Sequence, residues 1–251
     1  MGVLAALEFH LLGWLRTWRA NIFTPFVIPV LTMLSFGVGV GQFIEGGVDG
    51  VPYLDWIVPG MVASTALQSA MAESTWPVLS RFEWIKVYHS QIATPLRVRD
   101  VLGGQVAFML VRVLMTTTVF LVVAAVFGTL HSPWALATVP VALLVAAAAA
   151  LPTIAFSASI TSEHPLILLY QFAIIPMTLF AGVFFPVDLL PEVLRWVAYV
   201  FPLWHGVDLC RAAALGVAPD WSALGHVLVL AAWVVVGWPL AYRRFRDRLV
   251  K

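Results

Sequence analysis

The residues of this sequence that could do chemistry are few, and most sit inside or beside apolar runs. Ser64, Thr65, Gln68, Ser69, Glu73 and Thr75 recur at three- and four-residue spacing and fall on one half of a helix. A helix facing lipid all round carries no such stripe, so this one faces a partner helix or a translocation path. Glu73, near one end, either serves that path or pairs with a nearby base such as Arg81. Arg112 lies about a third of the way into a later apolar run, on the scale of a spanning helix. It either snorkels to the surface or pairs with Glu73 or Glu163. Tyr170 and Gln171 are weaker candidates for a polar lining. This is the chemistry of passage through a membrane, not of bond-making.

Other chemistries find little support. Lys86 and Lys251 are the only lysines, and neither belongs to a phosphate-binding P-loop. Gly37, Gly39 and Gly41 lack the preceding strand and the spacing of a dinucleotide fingerprint, and read as helix packing or a flexible helix end. The histidines at 10, 89, 131, 164, 205 and 226 share no metal-ligand spacing. The single cysteine, Cys210, excludes an internal disulfide and a cysteine cage. No Ser/His/Asp order or convergent cluster of His, Asp and Glu on one membrane face is evident. No metal, cofactor or nucleic acid is expected to bind this chain.

The elements that must position these residues are membrane helices. Hydrophobic residues make up 61% of the chain and charged ones 11%, with a mean hydropathy of +0.94. A soluble surface needs more charge than this. The runs do not alternate as barrel strands would. The expected fold is an all-α polytopic membrane protein forming one domain. Six spans are expected at 22–43, 57–78, 101–128, 134–160, 166–185 and 223–242. Before them, residues 1–21 carry Leu4, Leu7, Leu11, Trp14, Leu15 and Trp18 at helical spacing. They read as an amphipathic helix along the membrane surface, or as an extension of the first span. No cleavable signal peptide is evident, so the first span is expected to act as an uncleaved signal anchor.

Lys and Arg set the orientation. Arg16 and Arg19 precede the first span, Arg81, Lys86, Arg97 and Arg99 lie between the second and third, and Arg243, Arg244, Arg246, Arg248 and Lys251 follow the last. With six spans all fall on one side, which places both termini in the cytoplasm. The other side collects Glu45, Asp49, Asp55, Asp188, Glu192, Asp208 and Asp220.

Two connections stand out. In the first cytoplasmic loop, Ser80 and Glu83 have capping-box spacing and predict a helix over 81–89 that carries Arg81, Phe82, Ile85, Lys86, Tyr88 and His89. It ends before Thr94-Pro95. Such a helix suits the groove of a soluble partner, or forms a turn on the membrane surface. The run from Phe180 to Pro191 interrupts the last third with Phe180, Phe184, Phe185, Pro186, Asp188 and Pro191. Residues 186–202 read as a re-entrant or interfacial segment, with a short helix at 191–201.

Phe180-Ala181-Gly182-Val183-Phe184-Phe185-Pro186, Leu190-Pro191, Phe201-Pro202-Leu203 and Asp208-Leu209-Cys210-Arg211 together resemble the ABC-2 type exporter permeases. Tyr53 to Gly60, Ala93-Thr94-Pro95-Leu96 and Asp100 strengthen the likeness, which is similar to the branch of nodulation protein J and the daunorubicin-resistance permeases. The resemblance implies a half-transporter in a bacterial plasma membrane. Two permease subunits would pair, identical or related, and separate ATPase subunits binding ATP and Mg would dock beneath them. Residues 81–89 would be the coupling helix and 186–202 an outer gate. The path would be lined by the first, second and fifth spans, with Phe180, Phe184 and Phe185 as apolar counterparts of Ser64, Thr65, Gln68 and Ser69. Such a lining suits an amphipathic or lipid-like substrate. A transporter or scramblase working without ATP, and a membrane scaffold or enzyme, are the rival readings.

Overall fold

The computed structural model describes residues 2–16, 27, 30–44, 46–48 and 50–250, which are mostly helical and contain no strand. Helix α1 spans Gly2–Arg16, α2 Tyr53–Ser74, α3 Trp76–Glu83, α4 Val87–Ile92 and α5 Val98–Val126. A 3-10 turn at Pro133–Ala137 leads into α6, Thr138–Ser157. Then come α7 at His164–Phe180, α8 at Glu192–Val200, α9 at Pro202–Leu215 and α10 at Ala223–Leu249. Within the expected first span, residues 22–26, 28 and 29 lie outside the described residues, as do Trp18, Arg19, Glu45, Asp49 and Lys251. Its second half is helical and widens into a π-helix at Leu34–Val40.

Three described helices are long and apolar enough to cross a membrane: Val98–Val126, Pro133–Ser157 and Ala223–Leu249. At about 1.5 Å per residue each exceeds the roughly 30 Å of hydrocarbon. Helix α2 has the length, but its polar stripe dilutes its hydropathy. Helix α7 is apolar but short, and ends at Phe180 rather than 185. Gly182 adopts the left-handed region there, with φ of 77°, and turns the chain away from the helix axis.

The core sits where α6 packs between α2 and α10, with α5 alongside. Buried Ala142, Ala146, Ala148, Ala149 and Ala150 let these backbones approach closely. Helix α9 completes the core against α2 and α6. The sequence reading assigned no element to residues 203–222, and α9 supplies one there. Pro202 in the first turn and Gly216 in the left-handed cap, φ 72°, bound this helix. Its His205, Asp208 and Arg211 made it look like a loop, but all three find partners inside the protein.

Helix α1 lies along α5. Ala6 and His10 face inward, while Leu4, Leu12 and Leu15 remain exposed. Gly104 makes the close approach possible, because a Cβ there would stand 2.4 Å from the Ala6 methyl. Gly104→Val should therefore lower the unfolding temperature by an amount matching about 1–3 kcal/mol of overpacking. Gly13→Ala, at a site with nothing within 4 Å, should not. Thermal unfolding of the two purified proteins checks this.

Candidate functional site

One end of the bundle is organised around the buried side chain of Gln105 in α5. Its Nε2 donates to the Glu73 carbonyl at 3.0 Å, where α2 ends. Its Oε1 accepts from the Tyr88 hydroxyl at 3.0 Å and from Arg81 Nη1. Burial pushes the Tyr88 phenol up to about 12, so it stays protonated and able to donate. One amide thus joins α2, α3, α4 and α5. A second clamp comes from α10. Arg248 pairs with Glu83, lies 4.7 Å over the Phe82 ring, and donates to the carbonyls of Ala158 at 3.0 Å and Ile160 at 2.7 Å. Phe82, Tyr88 and Phe245 stack among these groups with ring centroids 4.7 to 5.1 Å apart.

The loop differs from the single helix expected over 81–89. Pro77 lies in the first turn of α3 and starts that helix at Trp76, so Ser80 is interior and caps nothing. Its carbonyl instead accepts the amides of Trp84 and Ile85, which closes α3. Lys86 then reverses the chain in the left-handed region, φ 56°, and α4 begins. The fold also redistributes the candidate docking residues. Phe82 and Tyr88 are wholly buried, and Arg81, Glu83 and His89 are half-buried. Ile85, Lys86 and Trp84 project outward. Trp84, 60% exposed, was not a candidate from sequence; two consecutive apolar residues next to Lys86 were the signal available. Beside them, Ala5, Phe9, Ile85, Val87, Thr94 and Leu96 line an apolar groove of about 390 Å³ between α1 and the loop. Gln91 also lines it, and its side-chain amide has no hydrogen-bond partner among the described residues.

The polar stripe of α2 divides. Ser64 is buried against the core, whereas Thr65, Gln68 and Ser69 lie on the side that no described helix covers. Helix α7 flanks this side and exposes Gln171, Phe172, Ile175 and Leu179. Its helix widens into a π-turn at Tyr170–Ile174, and the Tyr170 ring meets Trp76 at 5.2 Å. Glu73 and Arg112 face each other at 3.4 Å. Glu163 is exposed at the start of α7 and does not join them. Phe180, Phe184 and Phe185 are half-buried at the far end, where Phe184 meets Phe36 of the π-helix at 5.5 Å.

That far end is tied down by polar contacts. Arg211 donates to the Gly182 carbonyl at 2.9 Å and to the Trp56 carbonyl at 3.3 Å, and covers the Trp56 ring at 3.8 Å. The Tyr53 hydroxyl reaches the Phe184 carbonyl at 3.4 Å. Asp55 meets His131 at 2.8 Å. A buried chain of groups joins α8, α9 and α10. His205 Nε2 donates to the Tyr199 carbonyl at 2.9 Å, so its Nδ1 must accept from His226 Nδ1 at 2.8 Å. His226 Nε2 then lies 2.9 Å from the Asp208 carboxylate. The sequence reading found no such convergence, because residues 205 and 226 belong to different helices. Their Nδ1 atoms face one another, and no group of three His, Cys, Asp or Glu side chains among the described residues could hold a metal ion.

Comparison with known proteins agrees with this architecture. A family model described as ABC-2 type transporter matches residues 2–215. Nodulation protein J of Rhizobium leguminosarum bv. viciae is 29% identical over all of both chains. Nodulation protein J of Sinorhizobium fredii is 29% identical over 95% of this chain and 94% of its own. The inner membrane transport permease YadH of Escherichia coli is 24% identical over 95% and 93%. The chain belongs to the ABC-2 type transporter family.

Proposed function

We propose that this chain is the permease subunit of an ATP-driven exporter that moves an amphipathic or lipid-like compound outward. Separate ATPase subunits, which bind ATP and Mg, supply the energy. The observation that carries the reading is the cytoplasmic loop: an exposed apolar tip, Trp84 and Ile85, mounted on a buried aromatic and polar base. A loop in water has no reason to expose two large apolar groups on so well-anchored a base. A soluble partner whose groove receives them does provide one. The groove between Phe9 and Leu96 widens the docking surface to α1. The coupling element is thus the turn at 84–86 between two short helices, rather than one helix from 81 to 89.

A second permease subunit, identical or related, covers the open face formed by α2 and α7. Thr65, Gln68 and Ser69 would otherwise stand against hydrocarbon, where side-chain amides and hydroxyls lack partners. The path runs along this face, from Glu73 towards Phe180, Phe184 and Phe185. The expectation of six spans in the bacterial plasma membrane, with both termini cytoplasmic, fits the way α1, the 76–97 loop and the end of α10 gather at one end of the bundle. It also fits the concentration of arginine there. A transporter driven by ions would use ionisable groups in the membrane. Glu73 and Arg112 neutralise one another at 3.4 Å, which favours the ATP-driven reading.

Two experiments test these assignments. Trp84→Asp with Ile85→Asp should abolish co-purification of the ATPase while the permease still inserts and unfolds at its normal temperature. Undiminished co-purification would remove the turn from the interface. By contrast, Phe82→Ala should cost stability, about 3–5 kcal/mol for a buried aromatic, read as a lower unfolding temperature of the permease alone. At the other end, Phe184→Ala with Phe185→Ala should reduce export from reconstituted vesicles several-fold while leaving ATPase association intact. Unchanged transport would exclude those rings from the gate.

A further inference from the structure

Between α1, the end of α2 and α5 lies an open cavity of about 500 Å³. Arg16, Arg81, Arg112, Glu73, His10 and Trp14 line it. Three guanidinium groups therefore face a single carboxylate. Glu73 answers Arg112 at 3.4 Å, and Gln105 offers Arg81 a neutral oxygen. The remaining positive charge has no counter-charge among the cavity's own residues. Charge gathered in a concave, partly enclosed site draws an anion more strongly than the same charge spread over a surface.

His10 adds an independent sign. It is only 5% exposed and lies against Phe108 at 5.5 Å. Its Nε2 has no hydrogen-bond partner among the described residues. Burial, and then the charge of Arg81, push this imidazole down to about 3, so it is neutral at any cellular pH. In its Nε2–H tautomer such a neutral ring can donate to an oxyanion in the cavity. The volume exceeds the needs of a simple ion and falls in the range of small-molecule sites. Leu12 and Leu15 of α1 are exposed next to the cavity, which gives an apolar tail somewhere to lie.

We propose that this cavity binds a phosphate-bearing group, with the arginines as charge partners and His10 Nε2 as a neutral donor. The inference rests on the reading of α1 as a helix at the cytoplasmic membrane surface. Arginine forks match phosphate oxygens two at a time, which favours phosphate over a halide or a neutral sugar. Glu73 acts as an internal competitor: it holds Arg112 until an external anion replaces it. The phosphate belongs to an amphipathic molecule in the inner leaflet or to a soluble phosphate ester, and binding measurements separate the two.

The test uses the full-length permease without its ATPase, in mixed detergent micelles. The probes are dioleoyl phosphatidic acid, inorganic phosphate and dioleoylglycerol, with binding read by microscale thermophoresis. Phosphatidic acid should bind, and dioleoylglycerol should not. Binding of phosphatidic acid alone would assign the site to a lipid headgroup. Comparable binding of inorganic phosphate would assign it to phosphate from either source. Arg16→Gln with Arg112→Gln should weaken phosphatidic acid at least tenfold, whereas Arg97→Gln with Arg99→Gln, at the start of α5 and outside the cavity lining, should not. Glu73→Gln removes the competitor and should tighten binding about three-fold or more, a gain that no loss of fold produces. If the double arginine variant does not fold, exposed Arg16→Gln alone should weaken binding about threefold. Equal binding by all variants, or none by the wild type, would overturn the proposal. Because no ATPase is present, that failure would leave the docking of Trp84 and Ile85 to be judged on its own experiment.

Discussion

The buried amide of Gln105 is the constraint on which one end of the bundle depends. A side-chain amide inside an apolar bundle costs several kcal/mol unless its donors and acceptor are used. Here the Glu73 carbonyl, the Tyr88 hydroxyl and the Arg81 guanidinium use them. Satisfying Gln105 fixes where α2 stops, where α4 packs and how α3 leans on α5. The aromatic cluster of Phe82, Tyr88 and Phe245 fills the remaining space, and Arg248 of α10 locks it to the carbonyls of Ala158 and Ile160 just beyond α6. The exposed tip at Trp84 and Ile85 is thereby held by four spanning or near-spanning elements. A force applied to it is transmitted to the bundle rather than lost in a flexible loop.

The opposite property appears along α2 and α7. Both helices present sides that no described element covers, and those sides carry Thr65, Gln68, Ser69 and Gln171. The helices nearest this face also contain the irregular turns: the π-helix at Leu34–Val40 and the π-turn at Tyr170–Ile174. A π-turn loosens the regular ladder of hydrogen bonds and recurs where helices serve a function. One end of the molecule is therefore cross-linked by polar contacts and aromatic packing, and one lateral face is polar and irregular. That division is what a machine driven from one end needs.

The sequence carried the helical class, the approximate position of most long helices and the special character of the Phe180–Pro191 run, because hydropathy and proline act locally. It left Glu73 to a path, to Arg81 or to Arg112, and Arg112 to the surface, to Glu73 or to Glu163, whereas the structure brings Arg112 to 3.4 Å from Glu73. It misplaced the loop. The spacing of Ser80 and Glu83 is a capping signal, but Pro77 starts α3 earlier and Arg248, 165 positions away from Glu83, takes the carboxylate. It missed α9, where His205 and Asp208 look like loop residues until His226 is brought beside them from α10. Gln105 escaped notice inside an otherwise apolar stretch. In each case the deciding partner is distant in sequence, so no local pattern announces it.

The break at Thr75 connects these observations. Helix α2 ends there with ψ of −104°, the Thr75 hydroxyl bonding back to the Met71 carbonyl at 2.8 Å, and α3 resumes one residue later. Helices α2 and α3 therefore form a jointed rod. Its α3 arm carries the exposed tip, and its α2 arm carries Thr65, Gln68 and Ser69. The joint is flanked on one side by Glu73 and its ion pair with Arg112, and on the other by Trp76 against Tyr170 of α7. Any rotation of the α3 arm must change at least one of these two contacts. Loosening the ion pair would separate two opposite charges that face each other at 3.4 Å, whereas the ring contact is apolar and can slide. Of the two contacts, the one with α7 is able to yield, and the other end of that helix is the Gly182 turn held by Arg211, which leads into Phe184 and Phe185. Stiff and yielding contacts are thus ordered from the Trp84–Ile85 turn to the Phe184–Phe185 end along a helix that the core barely holds.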